Sequence, residues 1–309
     1  MDSYKQILVV IDPTTEDQKA LKRACHLASL TGAKITAFLS IFDFSYEMTT
    51  MLSSDEREAM RKSVISDRTE WIKNTLSQLD IITDDIEIKV VWHNRPYEAI
   101  LTEVLENSHD LIVKGTHEHD LLKSVIFTPT DWHLLRKSPT PILLVKEHEW
   151  PKNGNIVAAI NVGSEDEDHI SLNNKLTEKA VSLAKIIEAN VHLVTSYPGT
   201  PVNIAIEIPE FNASDYSETM KKYHIESMTA HAENFGVPES QTHVHEGLPE
   251  DVIQTAAKEL DAELVILGTV GRTGISAALI GNTAEHVIDN LNCDVLALKP
   301  DGYVSPFEK

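Results

Sequence analysis

Four glycines behind a short apolar run are the part of this sequence best suited to chemistry. Leu264-Val265-Ile266-Leu267 stops at Gly268, and Gly271, Gly274 and Gly281 follow. Ala284, Val287, Ile288 and Leu291 then recur at three- and four-residue steps, the period of a helix. A strand, a glycine loop and a helix N-terminus together bring backbone N–H groups and a favourable dipole to one place, which suits a phosphate. The spacing Gly268-x2-Gly271-x9-Gly281-Asn282 is neither the P-loop, since no Lys-Ser or Lys-Thr follows a glycine, nor the G-x-G-x-x-G dinucleotide fingerprint. A glycine-rich β–α turn with no ligand is the other reading of the same residues. His117-x-His119-Asp120 has metal-ligand residue types, but no second pair sits at helical spacing nearby, and a solvated loop is expected. His243 and His245, two apart on a strand, share a face and are expected to pack or to lie at an edge. No nucleophile elbow, H-E-x-x-H or cysteine nucleophile motif is present.

The elements that position this loop follow from periodicity. Apolar runs at Gln6–Ile11, Ile35–Ile41, Glu87–Trp92, Leu111–Val113 and Pro141–Val145 read as strands. Between them lie helical stripes: one behind a capping-box pattern at Thr15–Gln18, one from about Ser54 to Leu79, and one begun by Pro96. Trp150–Gly154 is rich in turn residues and marks a boundary, giving domains 1–150 and 155–309. The same order then returns: strands at Ile156–Ile160, Val191–Thr195, Thr242–His245, Leu264–Leu267 and Val295–Leu298, with helices between them. Pro96 and Pro249, Leu111 and Leu264, Gly115 and Gly268, and Ile142 and Val295 are each 153 residues apart, so the chain is a tandem duplication of a βα unit. Continuous apolar strands alternating with helices give a parallel sheet covered on both faces.

Composition bounds the function. The 309 residues suit about two domains, and 42% apolar content is enough for real cores. Asp and Glu number 48 against 27 Lys and Arg, a net charge of −21, which repels nucleic acid and anionic membranes and leaves small molecules or proteins as partners. No stretch has the length of a membrane span and no signal peptide is expected; two isolated cysteines, Cys25 and Cys293, fit a reducing cytoplasm. Pro198–Phe211 alternates Val202, Ile204, Ile206 and Ile208 with Asn203, Ala205 and Glu207, as a short strand or hairpin that serves as a lid or packs on the other half.

The strand-one acid Asp12, the Gly247-x-Pro249 turn and the Gly-x2-Gly-x9-Gly spacing resemble the universal stress protein family, in a tandem form covering nearly all of the chain. The resemblance implies two α/β, Rossmann-like five-stranded parallel sheets in the order 3-2-1-4-5, related by a pseudo-twofold with the fifth strands paired. It also implies an adenine nucleotide such as ATP in the second half. Phosphates would lie on Gly268, Thr269, Gly271, Gly281, Asn282 and Thr283, and the nucleoside near Ile160, Asn161, Ser196 and Leu267. Asn161 stands where nucleotide-binding members carry Asp, and Asn282 where they carry Ser or Thr. In the first half, Glu118 and Thr128-Pro129 replace the second and third glycines, so that half is expected to be degenerate. Glu246, an acid near the crevice, reads as solvated. The expected function is a stress-response sensor or interaction module without fast catalysis, as a protein binder or homodimer. A slow adenine-nucleotide hydrolase and a ligand-free scaffold or apolar-molecule binder are the alternatives.

Overall fold

The structure, a computed structural model, describes residues 4–47, 52–79, 86–119, 124–126, 128–146, 149–200, 212–269 and 282–308. They form two compact units: Ser3–His117, Phe127–Val145 and Ser305–Lys309 make one, and Met1–Asp2, Glu118–Ile126 and Lys146–Val304 the other. The glycine loop from 270 to 281 and the alternating stretch 201–211 lie outside the described residues.

The first unit runs β1 (Gln6–Val10), α1 (Lys19–Thr31), β2 (Lys34–Ile41), α2 (Phe44–Glu47), α3 (Ser54–Gln78), β3 (Ile86–Trp92), α4 (Pro96–Glu106) and β4 (Leu111–Gly115). After β5 (His117–His119) and β6 (Ser124–Ile126), which pair with each other, it closes with α5 (Pro129–Lys137) and β7 (Ile142–Val145). All its sheet pairings are parallel, in the order β3-β2-β1-β4-β7. The second unit carries β8 (Asn155–Ala159), α6 (Glu167–Ile187), β9 (Asn190–Tyr197), α7 (Ala213–Phe235), β10 (Thr242–Glu246), α8 (Pro249–Glu259), β11 (Ala262–Gly268), α9 (Asn282–Asn290) and β12 (Asp294–Leu298). Its parallel order is β10-β9-β8-β11-β12. Each half therefore has the order 3-2-1-4-5, as the sequence implies.

Local chemistry explains the elements and two departures from expectation. Ser53 and Glu56 close a capping box on α3, Asn212 accepts N–H bonds from Ser214 and Asp215 at the start of α7, and Pro96 and Pro249 open α4 and α8. Thr15–Gln18 forms no such box: α1 begins only at Lys19, because the Gln18 amide is spent on the Asp12 backbone. His117–His119 is strand and not the expected solvated loop, because it finds a partner in Ser124–Ile126. The latter strand lies against α9 within the second unit. No described helix is long and apolar enough to cross a membrane.

Strand-one starts are anchored the same way in both units. Asp110 accepts the N–H groups of Lys5 and Gln6 at 2.7 and 3.0 Å, and Glu263, the equivalent residue of the repeat, accepts the N–H of Asn155. Asp110→Ala leaves two N–H groups without their acceptor and should cost about 1–3 kcal/mol, read as a lower denaturation midpoint with an unchanged m-value.

Candidate functional site

The crevice of the second unit opens where the strand order reverses, between β8 and β11. Ala158 pairs with Ile266, so Ile160 and Gly268 leave the sheet side by side. Sheets of this kind place ligands outside the carboxyl ends of the strands at this point.

A side-chain amide fixes the end of strand one. Asn173, buried on α6, accepts the Asn161 N–H at 2.9 Å and donates to the Asn161 carbonyl at 2.8 Å, while Ile160 N–H donates to Val194 at 3.0 Å. The Asn161 side chain is left exposed at the mouth. In the first unit Gln18 does the same for Asp12, accepting at 3.2 Å and donating at 2.6 Å. The Asp12 carboxylate turns back to take the N–H and hydroxyl of Thr14 at 2.9 and 2.6 Å.

Gly268 has a packing reason to be glycine. A Cβ there would fall 2.5 Å from Leu172 Cδ2 on α6, whereas at Gly115 the nearest atoms would be 3.5 Å away. Thr269 then ties the loop's start to β12: its N–H and hydroxyl both donate to the Leu298 carbonyl, at 2.8 and 3.2 Å. Lys299 Nζ donates to the Thr269 carbonyl at 3.0 Å and lies 4.9 Å from the Tyr303 ring; burial pushes its pKa down to about 8. Of the expected site residues, Ile160, Leu267 and Thr269 are buried and offer backbone only. Gly268, Ser196 and Thr283 are half-buried, Asn282 is the first residue of α9, and Gly271 and Gly281 lie outside the described residues.

The two halves differ most at the helix that follows strand four. In the first unit the Asp131 carboxylate, wholly buried, accepts from the Thr128 N–H and hydroxyl at 2.6 and 2.8 Å and so sits on the N-terminus of α5. Lys114, near the end of β4, reaches it at 2.7 Å. The 153-residue offset puts Leu267 at the position of Lys114 and Ala284 at that of Asp131. The first half thus holds a carboxylate and its counter-cation where the second has two apolar residues. Its segment Glu118–Ile126, moreover, belongs to the other compact unit. Sequence reasoning placed the first half's loss at Glu118 and Pro129; the internal ion pair is a separate cause, signalled only by a lysine inside the apolar run Leu111-Ile112-Val113-Lys114.

Another residue near the carboxyl ends was missed. Tyr197, which ends β9, is buried, with its ring 5.6 Å from that of buried His224 on α7. Burial, and then the Glu246 charge, raise the Tyr197 pKa. Glu246, which ends β10, is exposed, as the solvated reading expects, and its carboxylate accepts from the Ser217 hydroxyl at 3.3 Å.

At the opposite end of the sheet His192 Nδ1 and His243 Nε2 lie 3.0 Å apart, and His192 Nε2 lies 3.2 Å from Asn155 Oδ1. Because Asn155 Nδ2 donates to Leu260 O, its oxygen is the acceptor and His192 must carry its proton on Nε2. Among the described residues no three His, Cys, Asp or Glu side chains converge as a metal site. Both cysteines are free; burial raises Cys25 to about 11 and Cys293 to about 12, far from nucleophilic.

Fold and crevice define a tandem, doubly wound α/β protein. The family model described as the universal stress protein family matches residues 3–146 and 157–299, and the chain belongs to that family. It is 54% identical over 309 residues to universal stress protein E of Escherichia coli (strain K12), covering 100% of this chain and 98% of the relative. It is 46% identical over 302 residues to the universal stress protein E homolog of Haemophilus influenzae, covering 96% and 98%. It also resembles the crystal structure of a functionally unknown protein from Pseudomonas aeruginosa PAO1, with a TM-score of 0.73 and 30% identity over 97% of this chain and 94% of that one.

Two outcomes follow from this geometry. Gly268→Ala should destabilise by about 1–3 kcal/mol through overpacking against Leu172, and Leu172→Ala in the same chain should recover part of that loss in a denaturant titration. Burial first, and then the charge of His243 on His192 and of His245 on His243, lower their pKa values from 6.5. The native state therefore prefers both neutral, and stability present above that value is lost as the pH falls below it. The denaturation midpoint should drop between about pH 7 and pH 5, and His192→Gln should flatten the drop.

Proposed function

We propose that the chain is a cytoplasmic stress-response protein that holds one adenine nucleotide, or a closely similar phosphate-bearing small molecule, in its second half. It acts as a sensor or interaction module without fast chemistry. The carrying observation is the exchange of Lys114 and Asp131 for Leu267 and Ala284 at matching positions of the repeat. A carboxylate bonded at the α5 N-terminus competes directly with a phosphate, and at the matching position α9 has Ala284, its first-turn acid being Glu285 one residue further on. The phosphates would rest on Gly268, Gly271, Gly281, Asn282 and Thr283, the Thr269 N–H being already given to Leu298, and the nucleoside would lie near Ile160, Asn161 and Ser196. These backbone groups bind without supplying an acid or base, so turnover stays well below the common enzyme range of about 10 s⁻¹.

Titration calorimetry of the full chain with ATP and with ADP tests this. One site per chain is expected. Leu267→Lys with Ala284→Asp, which copies the first half into the second, should abolish binding while the melting curve stays cooperative. Lys114→Leu with Asp131→Ala should leave one site. Two sites in the native chain, or undiminished binding in the Leu267/Ala284 variant, overturns the assignment, and no binding of either nucleotide favours the scaffold reading.

A further inference from the structure

A ligand anchored at the end of β11 and the start of α9 can extend only over the β8–β9 side. On the β12 side Lys299 sits on the Thr269 carbonyl, and Lys175 donates to the Lys299 carbonyl at 3.0 Å and to Asp301 at 2.7 Å. Following the other direction, the strand ends present Asn161, then Ser196 and Tyr197, then Glu246. Asn161 has lost the charge of an aspartate at the first of these positions. Glu246 supplies an exposed carboxylate two strands further out, bonded to α7 on one side and lying close to Gly199 on the other. Ser217 on α7 donates to its Oε2 at 3.3 Å, and a Cβ on Gly199, past the end of β9, would fall 2.8 Å from its Oε1.

The first unit has nothing comparable at the same place. Gly247 N–H donates to Tyr197 O at 3.0 Å as His93 N–H donates to Ile41 O at 2.9 Å, so Glu246 corresponds to Trp92. There the Trp92 ring packs 5.9 Å from Phe42, and Arg61 lies 5.8 Å over it. An aromatic and cationic cover on one half is thus a carboxylate on the other. A carboxylate has only acceptor oxygens, so its complement is a donor: an exocyclic amine or a sugar hydroxyl, in both cases at the non-phosphate end of the ligand.

We infer that Glu246 is the specificity-determining residue of this crevice, accepting a hydrogen bond from the nucleoside end of the bound nucleotide. The inference rests on the nucleotide reading above. It also makes Glu246, not Asn161, the residue that selects among nucleotides carrying the same phosphates.

Calorimetric titrations of the full-length native chain, Glu246→Gln and Glu246→Asp with ATP, ITP and 2′-deoxy-ATP test it. ITP lacks the exocyclic amine and 2′-deoxy-ATP lacks one sugar hydroxyl, so the native chain should bind one of them about tenfold or more weakly than ATP, the loss of a bond to a charged acceptor. Glu246→Gln should weaken ATP by a similar factor and bring ATP and the disfavoured analogue to nearly equal affinity, and Glu246→Asp should restore part of the preference. Thermal melts of the variants separate a folding defect from lost recognition, since a structural role would weaken all three nucleotides equally. Native binding with the same affinities and the same order in Glu246→Gln, or a uniform loss for all three, overturns the inference and leaves the nucleotide reading standing. No binding of any of the three by the native chain overturns both.

Discussion

A helix that starts beside strand four has N–H groups and a positive dipole end that something must answer, and the two halves answer it differently. Asp131 does so from within, bonded to Thr128 and paired with Lys114. Burying that carboxylate carries a desolvation cost that its bonds to Thr128 and the lysine must offset, so the pair persists only as a set. Lys114 interrupts an otherwise apolar strand for this reason, and the space is then closed to an external anion. The second half has Leu267 and Ala284 instead, which fill volume and bring no charge. The charge difference between the duplicated halves at this helix start comes down to this one interaction.

The frame around it is common to both. Gln18 and Asn173 each clamp a strand-one carbonyl and N–H with a single amide, although one stands six residues beyond its target and the other twelve. Because the clamp uses the backbone of Asp12 and Asn161, it does not depend on the side chain there. At Asp12 that side chain bonds Thr14, whereas at Asn161 it is exposed, and strand one ends in the same way in both units.

Much of the fold was legible. Apolar runs such as Ile7–Val9 and Leu264–Leu267 are buried on both faces, so they have no alternative reading once their length is short and a glycine or acid ends the segment. The constant offset between the halves gave the order of elements without any contact being known. The failures have a common cause. Thr15–Gln18 has the residue types of a capping box, but Gln18 finds a better partner in Asp12, and local patterns carry no record of tertiary competitors. His117–His119 is too short and polar to announce a strand that depends on pairing with Ser124–Ile126. Within the site, the glycine spacing and Asn161 could be read directly. Asn173 and Tyr197 could not, because each matters through a neighbour distant in sequence. Asp131 is instructive: its capping-box pattern with Thr128 is visible in one dimension, yet its meaning depends on which empty space that helix start faces.

Lys146 and Lys299 show how far equivalent positions can diverge without disturbing the sheet. Both follow the fifth strand of their repeat, 153 residues apart, and both are buried. Lys146 donates to the carbonyls of Ile288 and Leu291 near the C-terminus of α9, where the helix dipole favours a cation. Lys299 donates to Thr269, the first residue beyond strand four, and rests against Tyr303. One lysine thus fixes the end of the helix that follows the glycine loop, and the other fixes the loop's beginning. Between them they fix the residue that follows β11 and the far end of α9, so a cation buried at the same place in each repeat has been turned to a different contact, and in both the bonds to backbone carbonyls offset the cost of its burial.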